Sequence, residues 1–108
     1  MSQKASKEEK MQKPTLPIEM FACLDDKGEN YIIEIALPGV DKKNINLQMH
    51  DDLISVRAER TDAAFVGHLH FPLKVHPKKA VAKFKQGLLV VQVPVKEKRG
   101  PPVSIKIK

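Results

Sequence analysis

Three kinds of side chain in this sequence have the chemistry of a reactive or metal-binding site: histidines, paired aspartates and one cysteine. His68 and His70 are two residues apart, so both imidazoles would lie on the same face of a β-strand and could share a metal ion. A metal site needs three or four ligands, and no cysteine or carboxylate lies beside these histidines in the sequence. We therefore predict solvated histidines and no metal site.

The carboxylate pairs and the cysteine also lack the neighbours that catalysis requires. Asp25-Asp26 and Asp51-Asp52 each fall in a predicted turn, where aspartate hydrogen-bonds to local backbone groups. Cys23 has no histidine beside it to act as a base, and we predict a buried, structural thiol. The sequence also has no phosphate-binding loop of the form G-x-x-x-x-G-K-[ST]. We expect no catalytic residue, no cofactor and no enzymatic activity.

The composition is that of one small globular domain. A chain of 108 residues can bury a modest core without cross-links. Apolar residues make up 42% and aromatic residues 5%, so the core must be aliphatic. No apolar run approaches the ~18 residues of a membrane helix, so no membrane contact is expected. One cysteine and no secretory leader favour a cytoplasmic location.

The net charge of +6 raises the alternative of nucleic-acid binding. The lysines, however, are spread along the whole chain and are not interleaved with aromatic residues. Proteins that bind single strands combine a basic groove with aromatic side chains on which bases stack. The sequence therefore predicts no nucleic-acid partner.

Strands and turns, with almost no helix, must position these side chains. Short segments alternate apolar and polar residues and are separated by Gly, Pro, Asp and Asn, which is typical of antiparallel strands. About seven such segments predict an all-β, immunoglobulin-like antiparallel β-sandwich. The residues predicted to face its core include Tyr31, Ile33, Ile35, Leu37, Ile45, Leu47, Met49, Ile54, Val56, Ala58, Phe65, Leu69, Phe71, Leu73 and Val75.

Two of the later strands allow more specific predictions. Pro72 falls within the alternating segment 65–75, which places that strand at the edge of a sheet. The continuous apolar run at 88–93 predicts a strand that is buried on both faces. Gln86-Gly87 just before it is a two-residue turn in which glycine supplies a positive φ.

Three regions follow from this pattern. Residues 1–17 are charged, contain two prolines and predict a flexible arm. Residues 18–95 form the sandwich domain. Residues 96–108 form an extension that leaves the domain at Gly-Pro-Pro and ends with two alternating isoleucines.

Three stretches, in this order, resemble the α-crystallin domain of small heat-shock proteins. Residues 33–60 are similar to the family's strand, Leu-Pro-Gly turn (Leu37, Pro38 and Gly39), strand and hairpin. Residues 82–94 are similar to its signature Ala-x-x-x-Asn-Gly-x-Leu. Ala82, Gly87 and Leu89 match this signature, and Gln86 stands in place of asparagine.

The third stretch, Ile105-Lys106-Ile107, resembles the family's C-terminal Ile-x-Ile tag. The resemblance implies an ATP-independent chaperone that binds exposed apolar segments of unfolding proteins and associates with itself through the tail. It also implies that Ile105 and Ile107 dock in a groove between the strands at 45–49 and 81–85. The candidate groove residues are Ile45, Leu47, Met49, Val81, Lys83 and Lys85. A tail that packs on its own domain remains the alternative.

Two departures from the family change the expected partners. Its microbial members exchange a strand between subunits through a long loop, for which residues 60–65 leave no room. We therefore expect a monomer, or a dimer or small oligomer that is not strand-swapped. The arm is short and charged where the family's is commonly long and apolar, which predicts weaker chaperone activity. A second hypothesis is an adaptor resembling the CS-domain co-chaperones, which share the sandwich without the loop and dock on a partner protein.

Overall fold

The computed structural model describes residues 13–98 and 100–108. Eight strands in this part form two four-stranded sheets, with two short 3-10 helices and no α-helix. The prediction of an all-β sandwich is confirmed. The strands are β1 (Thr15–Pro17), β2 (Glu19–Leu24), β3 (Asn30–Ala36), β4 (Ile45–His50), β5 (Leu53–Arg60), β6 (Ala63–His70), β7 (Val81–Lys85) and β8 (Leu88–Pro94); the 3-10 helices are Lys42–Asn44 and Pro77–Lys79.

The two sheets stack so that β4 and β7 lie at the same margin. Sheet A has the order β1-β6-β5-β4 and sheet B the order β2-β3-β8-β7. A Cβ placed on Gly67 of β6 would lie 3.0 Å from Ile18 Cβ and 3.1 Å from Met20 Sδ, so β2 crosses directly over β6. Because β2 covers one margin of sheet A, the opposite margin brings the edge strand β4 of sheet A next to the edge strand β7 of sheet B.

The core between the sheets is almost entirely aliphatic, as the composition predicts. Tyr31 is its one polar aromatic residue: its ring stacks on Phe71 with 5.0 Å between centroids, and its hydroxyl accepts a hydrogen bond of 3.2 Å from the Leu73 N–H. The predicted inward residues are all buried or half-buried. The largest fully buried side chains are Ile33, Ile35, Leu37, Ile54, Val56, Val75, Val91 and Val93.

The prediction that residues 65–75 form an edge strand is wrong. β6 ends at His70, before Pro72, and its outer edge pairs in parallel with β1. The Ala64 N–H donates to the Pro14 carbonyl at 2.9 Å, next to this pairing. The predicted flexible arm therefore contains a strand at its end, and the remainder of that arm, residues 1–12, lies outside the described part of the chain.

Two predictions of burial are also wrong, both on the outer face of sheet B. Leu88 and Gln92 are exposed and Val90 is half-buried, because no third layer covers this face in the part of the chain that the structure describes. Residues 88–93 are therefore buried on one face only. Cys23 lies on the same outer face, in the edge strand β2, and its thiol is free and exposed.

The aspartate pairs act in turns, as predicted. The Asp25 carboxylate accepts hydrogen bonds from the Asn30 side-chain amide at 2.9 Å and from the Glu29 N–H at 2.8 Å, and these bonds lower its pKa. The carbonyls of Asp51 and Asp52 accept the backbone N–H groups of Val75 and Phe71. Of these side chains, the Asp25 carboxylate therefore takes part in turn structure, whereas the Asp51 carboxylate lies 3.3 Å from the Lys96 ammonium.

The connection between β5 and β6 is a tight hairpin. Arg60 pairs with Ala63, so Thr61 and Asp62 alone form the turn. The Arg60 Nε donates to Asp62 Oδ1 at 2.6 Å, which lowers the pKa of that carboxyl, and its Nη1 donates to the Pro38 carbonyl at 2.8 Å. No loop separates these strands, in agreement with the short spacing seen in the sequence.

The turn between β7 and β8 has two residues with positive φ. Gln86 has φ 51° and Gly87 has φ 81°, and the Gly87 carbonyl accepts the Leu37 N–H at 2.8 Å. A Cβ on Gly87 would lie 3.4 Å from Pro38 Cα. The predicted glycine conformation is confirmed, and the turn also imposes the left-handed region on Gln86, where a β-carbon is unfavourable.

We predict opposite effects on stability from the two turn residues. Gln86→Asn should increase the free energy of unfolding by a fraction of a kcal/mol, because asparagine adopts positive φ more readily. Gly87→Ala should decrease it by ~1–2 kcal/mol, the usual cost of a left-handed L-residue. Urea unfolding followed by circular dichroism measures both. Lys83→Asn, in an exposed strand position, is the control and should show no gain; a neutral Gly87→Ala would contradict the prediction.

Candidate functional site

The two histidines singled out in the sequence lie close together on β6. His68 and His70 are exposed on the outer face of sheet A, with 5.9 Å between ring centroids. Within the described residues, no group of three or more His, Cys, Asp or Glu side chains is placed to share a metal ion. A depression open to solvent includes Asn46, Arg57 and Val66 of this face in its lining, together with Ile45 and Leu47 of β4. Solvated histidines, as predicted, fit this arrangement.

The groove predicted from the sequence would lie at the open margin, which is bordered by the edge strands β4 and β7. Ile45, Leu47 and Met49 of β4 alternate inward and are each half-buried, packed against the core but open at the margin. From β7, Phe84 is half-buried and Ala82 is exposed. We call these five residues the edge groove. Its apolar side chains are only partly covered by the rest of the domain.

Three of the predicted groove residues face the wrong way. The register pairs Ala82 with Val91 and Phe84 with Leu89, and both partners are buried in the core. Side chains alternate along a strand, so Val81, Lys83 and Lys85 lie on the outer face of sheet B. The inward position of Phe84 was available from the exposed-buried-exposed pattern of Lys83, Phe84 and Lys85.

The backbone of the edge groove is as important as its side chains. β4 and β7 each pair with one neighbour only, so one row of N–H and C=O groups on each strand is unpaired within the described residues. Such edges can accept an added strand from another chain, with side-chain pockets at alternate positions. The two edge strands therefore combine unpaired main-chain groups with partly covered apolar side chains, the two features that strand addition uses.

The extension is fixed to the domain at its start. Val95 bridges to Val75, and the Lys96 N–H donates to the Lys74 carbonyl at 2.8 Å. The Lys96 ammonium lies 3.3 Å from the Asp51 carboxylate, and further on Lys98 lies 3.5 Å from Glu29. Beyond Gly100, Pro101 and Pro102 border a depression at the turn between β2 and β3.

The end of the extension is exposed. Val103 is 84%, Ile105 86% and Ile107 93% exposed, so the alternative in which the tail packs on its own domain is not what the structure shows. Val103 was missed as a tail residue by the sequence analysis. The alternation Val-Ser-Ile-Lys-Ile could have identified it, because i, i+2 and i+4 share a face in an extended chain. We call Val103, Ile105 and Ile107 the tail tag.

The residues of the recognised motifs support the groove structurally. Leu37 is fully buried and Leu89 is 4% exposed. Gly39 adopts φ +76°, and a Cβ added there would lie 3.3 Å from the Arg60 side chain. Gly87 brings the turn between β7 and β8 against Pro38. This arrangement fixes the end of β7 and hence one wall of the edge groove.

Comparison with known proteins gives a family match over most of the chain. The model of the Hsp20/alpha crystallin family matches residues 24–108. An 18 kDa heat shock protein of Streptomyces albus G is 28% identical over 95 residues, which cover 73% of this chain and 65% of that protein. The match therefore spans less than two thirds of the length of this relative.

Solved structures share the fold. Heat shock protein 16.0 from Schizosaccharomyces pombe is similar with a TM-score of 0.73 at 21% identity, covering 86% of this chain and 99% of that one. A small heat-shock protein from Xylella fastidiosa is similar with a TM-score of 0.58 at 17% identity, covering 83% and 96% of the two chains. In the described residues we find no helix with the length and apolar character needed to cross a membrane.

The family match includes both strands of the edge groove, the turn at Gly87 and the tail tag. These are the parts of the molecule that the geometry singles out as an open apolar site and a free apolar segment. On this match, the chain belongs to the Hsp20/alpha crystallin family, that of the small heat-shock proteins.

Proposed function

We propose that this protein is an ATP-independent chaperone that binds exposed apolar segments of unfolding proteins and prevents their aggregation. The observation that supports this most directly is the pairing of a half-covered apolar groove with a free apolar tail on the same chain. Both surfaces suit extended polypeptide with apolar residues at alternate positions.

The tail tag is proposed to occupy the edge groove of another copy. Burying its two isoleucines contributes ~3–5 kcal/mol before the cost of ordering the tail, so one such contact is weak and reversible. The two lysines that flank Ile107 remain in solvent when an extended tail docks by one face. The Xylella fastidiosa relative is described as having a distinct high order structure, which supports self-association in the family.

Client binding follows from the same reversibility. When the tail leaves, the groove exposes Ile45, Leu47, Met49 and Phe84 together with two unpaired strand edges. An unfolding protein exposes apolar stretches with free backbone groups, which can add to an edge in the same manner. Clients and tails then compete for one site. The exposed free thiol of Cys23 supports a reducing, cytoplasmic environment.

A second candidate function is that of an adaptor that docks on one folded partner protein. The observation that favours it is the two-residue hairpin between β5 and β6, which leaves no loop for strand exchange between subunits. A domain that does not exchange strands keeps its edge strands available to one partner protein, as a docking module would. The two functions differ in selectivity: a chaperone binds many unfolded chains and an adaptor binds one native protein.

We predict that Ile105→Ala combined with Ile107→Ala weakens self-association at least tenfold, because most of the apolar area of the tail tag is lost. Multi-angle light scattering over a range of protein concentrations measures the change in average mass. Ser104→Ala combined with Lys106→Ala is the matched control, since it removes the alternate positions of the same segment. An unchanged mass in the isoleucine variant would exclude tail-mediated assembly.

A charge in the edge groove should block the tail. Ala82 is exposed on the groove side of β7, so Ala82→Glu adds a carboxylate there without removing core packing. A peptide of residues 101–108, titrated by calorimetry, should bind this variant at least tenfold more weakly than the parent chain. Val81→Glu, one residue away on the opposite face, is the control and should bind normally. If both variants lost peptide binding equally, the peptide would not bind in the edge groove.

Chaperone and adaptor functions are separated by an aggregation assay. The parent chain should suppress the heat-induced light scattering of an unrelated model protein at near-stoichiometric ratio, and Ala82→Glu should suppress it less. Lack of suppression, together with recovery of one native protein in a pull-down that Ala82→Glu abolishes, would instead support the adaptor.

A further inference from the structure

The outer face of sheet B is an apolar surface that neither the fold nor the edge groove uses. Phe21 is 65%, Val81 58% and Leu88 40% exposed on this face, and Ile32 and Val90 between them are half-buried. The outer face of sheet A is different in character, because its central positions are polar. Those positions include Asn46, Gln48, Ser55, Arg57 and His68. One apolar residue, Val66, is exposed on this face, where it pairs with Arg57 and Pro17. Among the described residues of sheet B, exposed or half-buried apolar side chains lie on all four strands of the outer face.

The strand register arranges this outer face of sheet B in rows that cross all four strands. Successive strands contribute one residue each, in the order β2, β3, β8, β7. The rows are Cys23, Ile32, Gln92 and Val81; then Phe21, Glu34, Val90 and Lys83; then Glu19, Ala36, Leu88 and Lys85. We call these twelve residues the B face.

Charge is divided across the B face. Its acidic residues, Glu19 and Glu34, lie on β2 and β3, and its basic residues, Lys83 and Lys85, lie on β7 at the opposite edge. All four side chains are exposed. Apolar side chains lie between the two charged sides. Such a surface brings opposite charges together when the acidic edge strand β2 of one copy lies over the basic edge strand β7 of another.

That orientation is a two-fold axis parallel to the strands. It places β2 of one copy over β7 of the other and β3 over β8, so that Glu19 faces Lys85, Ala36 faces Leu88 and Cys23 faces Val81. Ile32 faces Gln92, and Glu34 faces Val90, one strand away from Lys83 in the same row. Phe21 then lies under the Lys83 ammonium, a favourable cation–π arrangement. A two-fold axis across the strands would instead place β7 over β7 and bring lysines against lysines.

We propose that two copies of this protein pack B face against B face about a two-fold axis parallel to the strands. Packed sheets cross at about 30°, which displaces the corner residues by a few ångströms, and long glutamate and lysine side chains can span this displacement. At ~4.8 Å between strands and ~3.3 Å per residue, the face measures about 19 by 17 Å. This is a small interface, so the dimer is weak, salt-sensitive and formed without strand exchange.

The test is a charge exchange in the full-length chain. Ile105→Ala and Ile107→Ala are included throughout, so that tail docking does not contribute. In this background Lys85→Glu or Glu19→Lys alone should raise the dimer dissociation constant about tenfold, because each places like charges opposite one another at two symmetry-related contacts. The two changes combined, Lys85→Glu with Glu19→Lys, should restore the dissociation constant to within about threefold of the background value. Sedimentation velocity over a concentration series measures it.

Further variants locate the interface. Val90→Asp, in the centre of the B face, should abolish the dimer, and Arg57→Glu, exposed on the outer face of sheet A, should leave it unchanged. A background chain that stays monomeric at several hundred micromolar would overturn the proposal. So would a double exchange that fails to restore association. If association required intact Ile105 and Ile107, docking of the tail would account for it, and the proposal of a B-face dimer would be overturned.

Discussion

A sandwich of two four-stranded sheets leaves four strand edges, and the way in which each edge is covered decides what this molecule can bind. At one margin β1 pairs with β6 and β2 crosses over β6, so apolar side chains of the two sheets meet and the core is closed. At the other margin β4 and β7 have no further neighbour among the described residues. The same core is therefore sealed on one side and half-exposed on the other, and the half-exposed side is the edge groove.

Sequence alternation predicted the centre of each sheet correctly, because residues two apart share a face regardless of which strand lies beside them. Ile33 and Ile35, or Ile54 and Val56, are inward for that reason alone. What periodicity could not predict is which face has a covering layer. The run at 88–93 is apolar at every position but one, yet only Leu89, Val91 and Val93 are buried, since the structure places nothing over the other face. The short strand β1 has too few residues to show any period.

For the candidate site, too, alternation along the sequence predicted some residues correctly, and the strand register was needed to place the others. The inward set Ile45, Leu47 and Met49 followed from alternation, whereas the choice of Val81, Lys83 and Lys85 came from the family resemblance and fell on the wrong face of β7. The register corrects it through Phe84, which pairs with the buried Leu89. Exposure of the tail tag is a tertiary property, because the same alternating residues would equally suit a strand added to their own domain.

The three residues of β7 that do not face the groove belong to a different surface, the B face. Val81, Lys83 and Lys85 face away from the groove and form the β7 edge of the B face, with the two lysines as its basic side. In the two proposed contacts, one face of β7 binds the tail and the other packs against a second copy. The two contacts also differ in symmetry: the B face is isologous and closes on itself, whereas a tail in a neighbour's groove is heterologous and propagates. A chain with one contact of each kind links closed pairs into larger assemblies, and loss of the tails returns them to pairs. Release of the tails would thus expose the grooves while the pairs joined through the B face stay intact. A reversible chaperone requires this property.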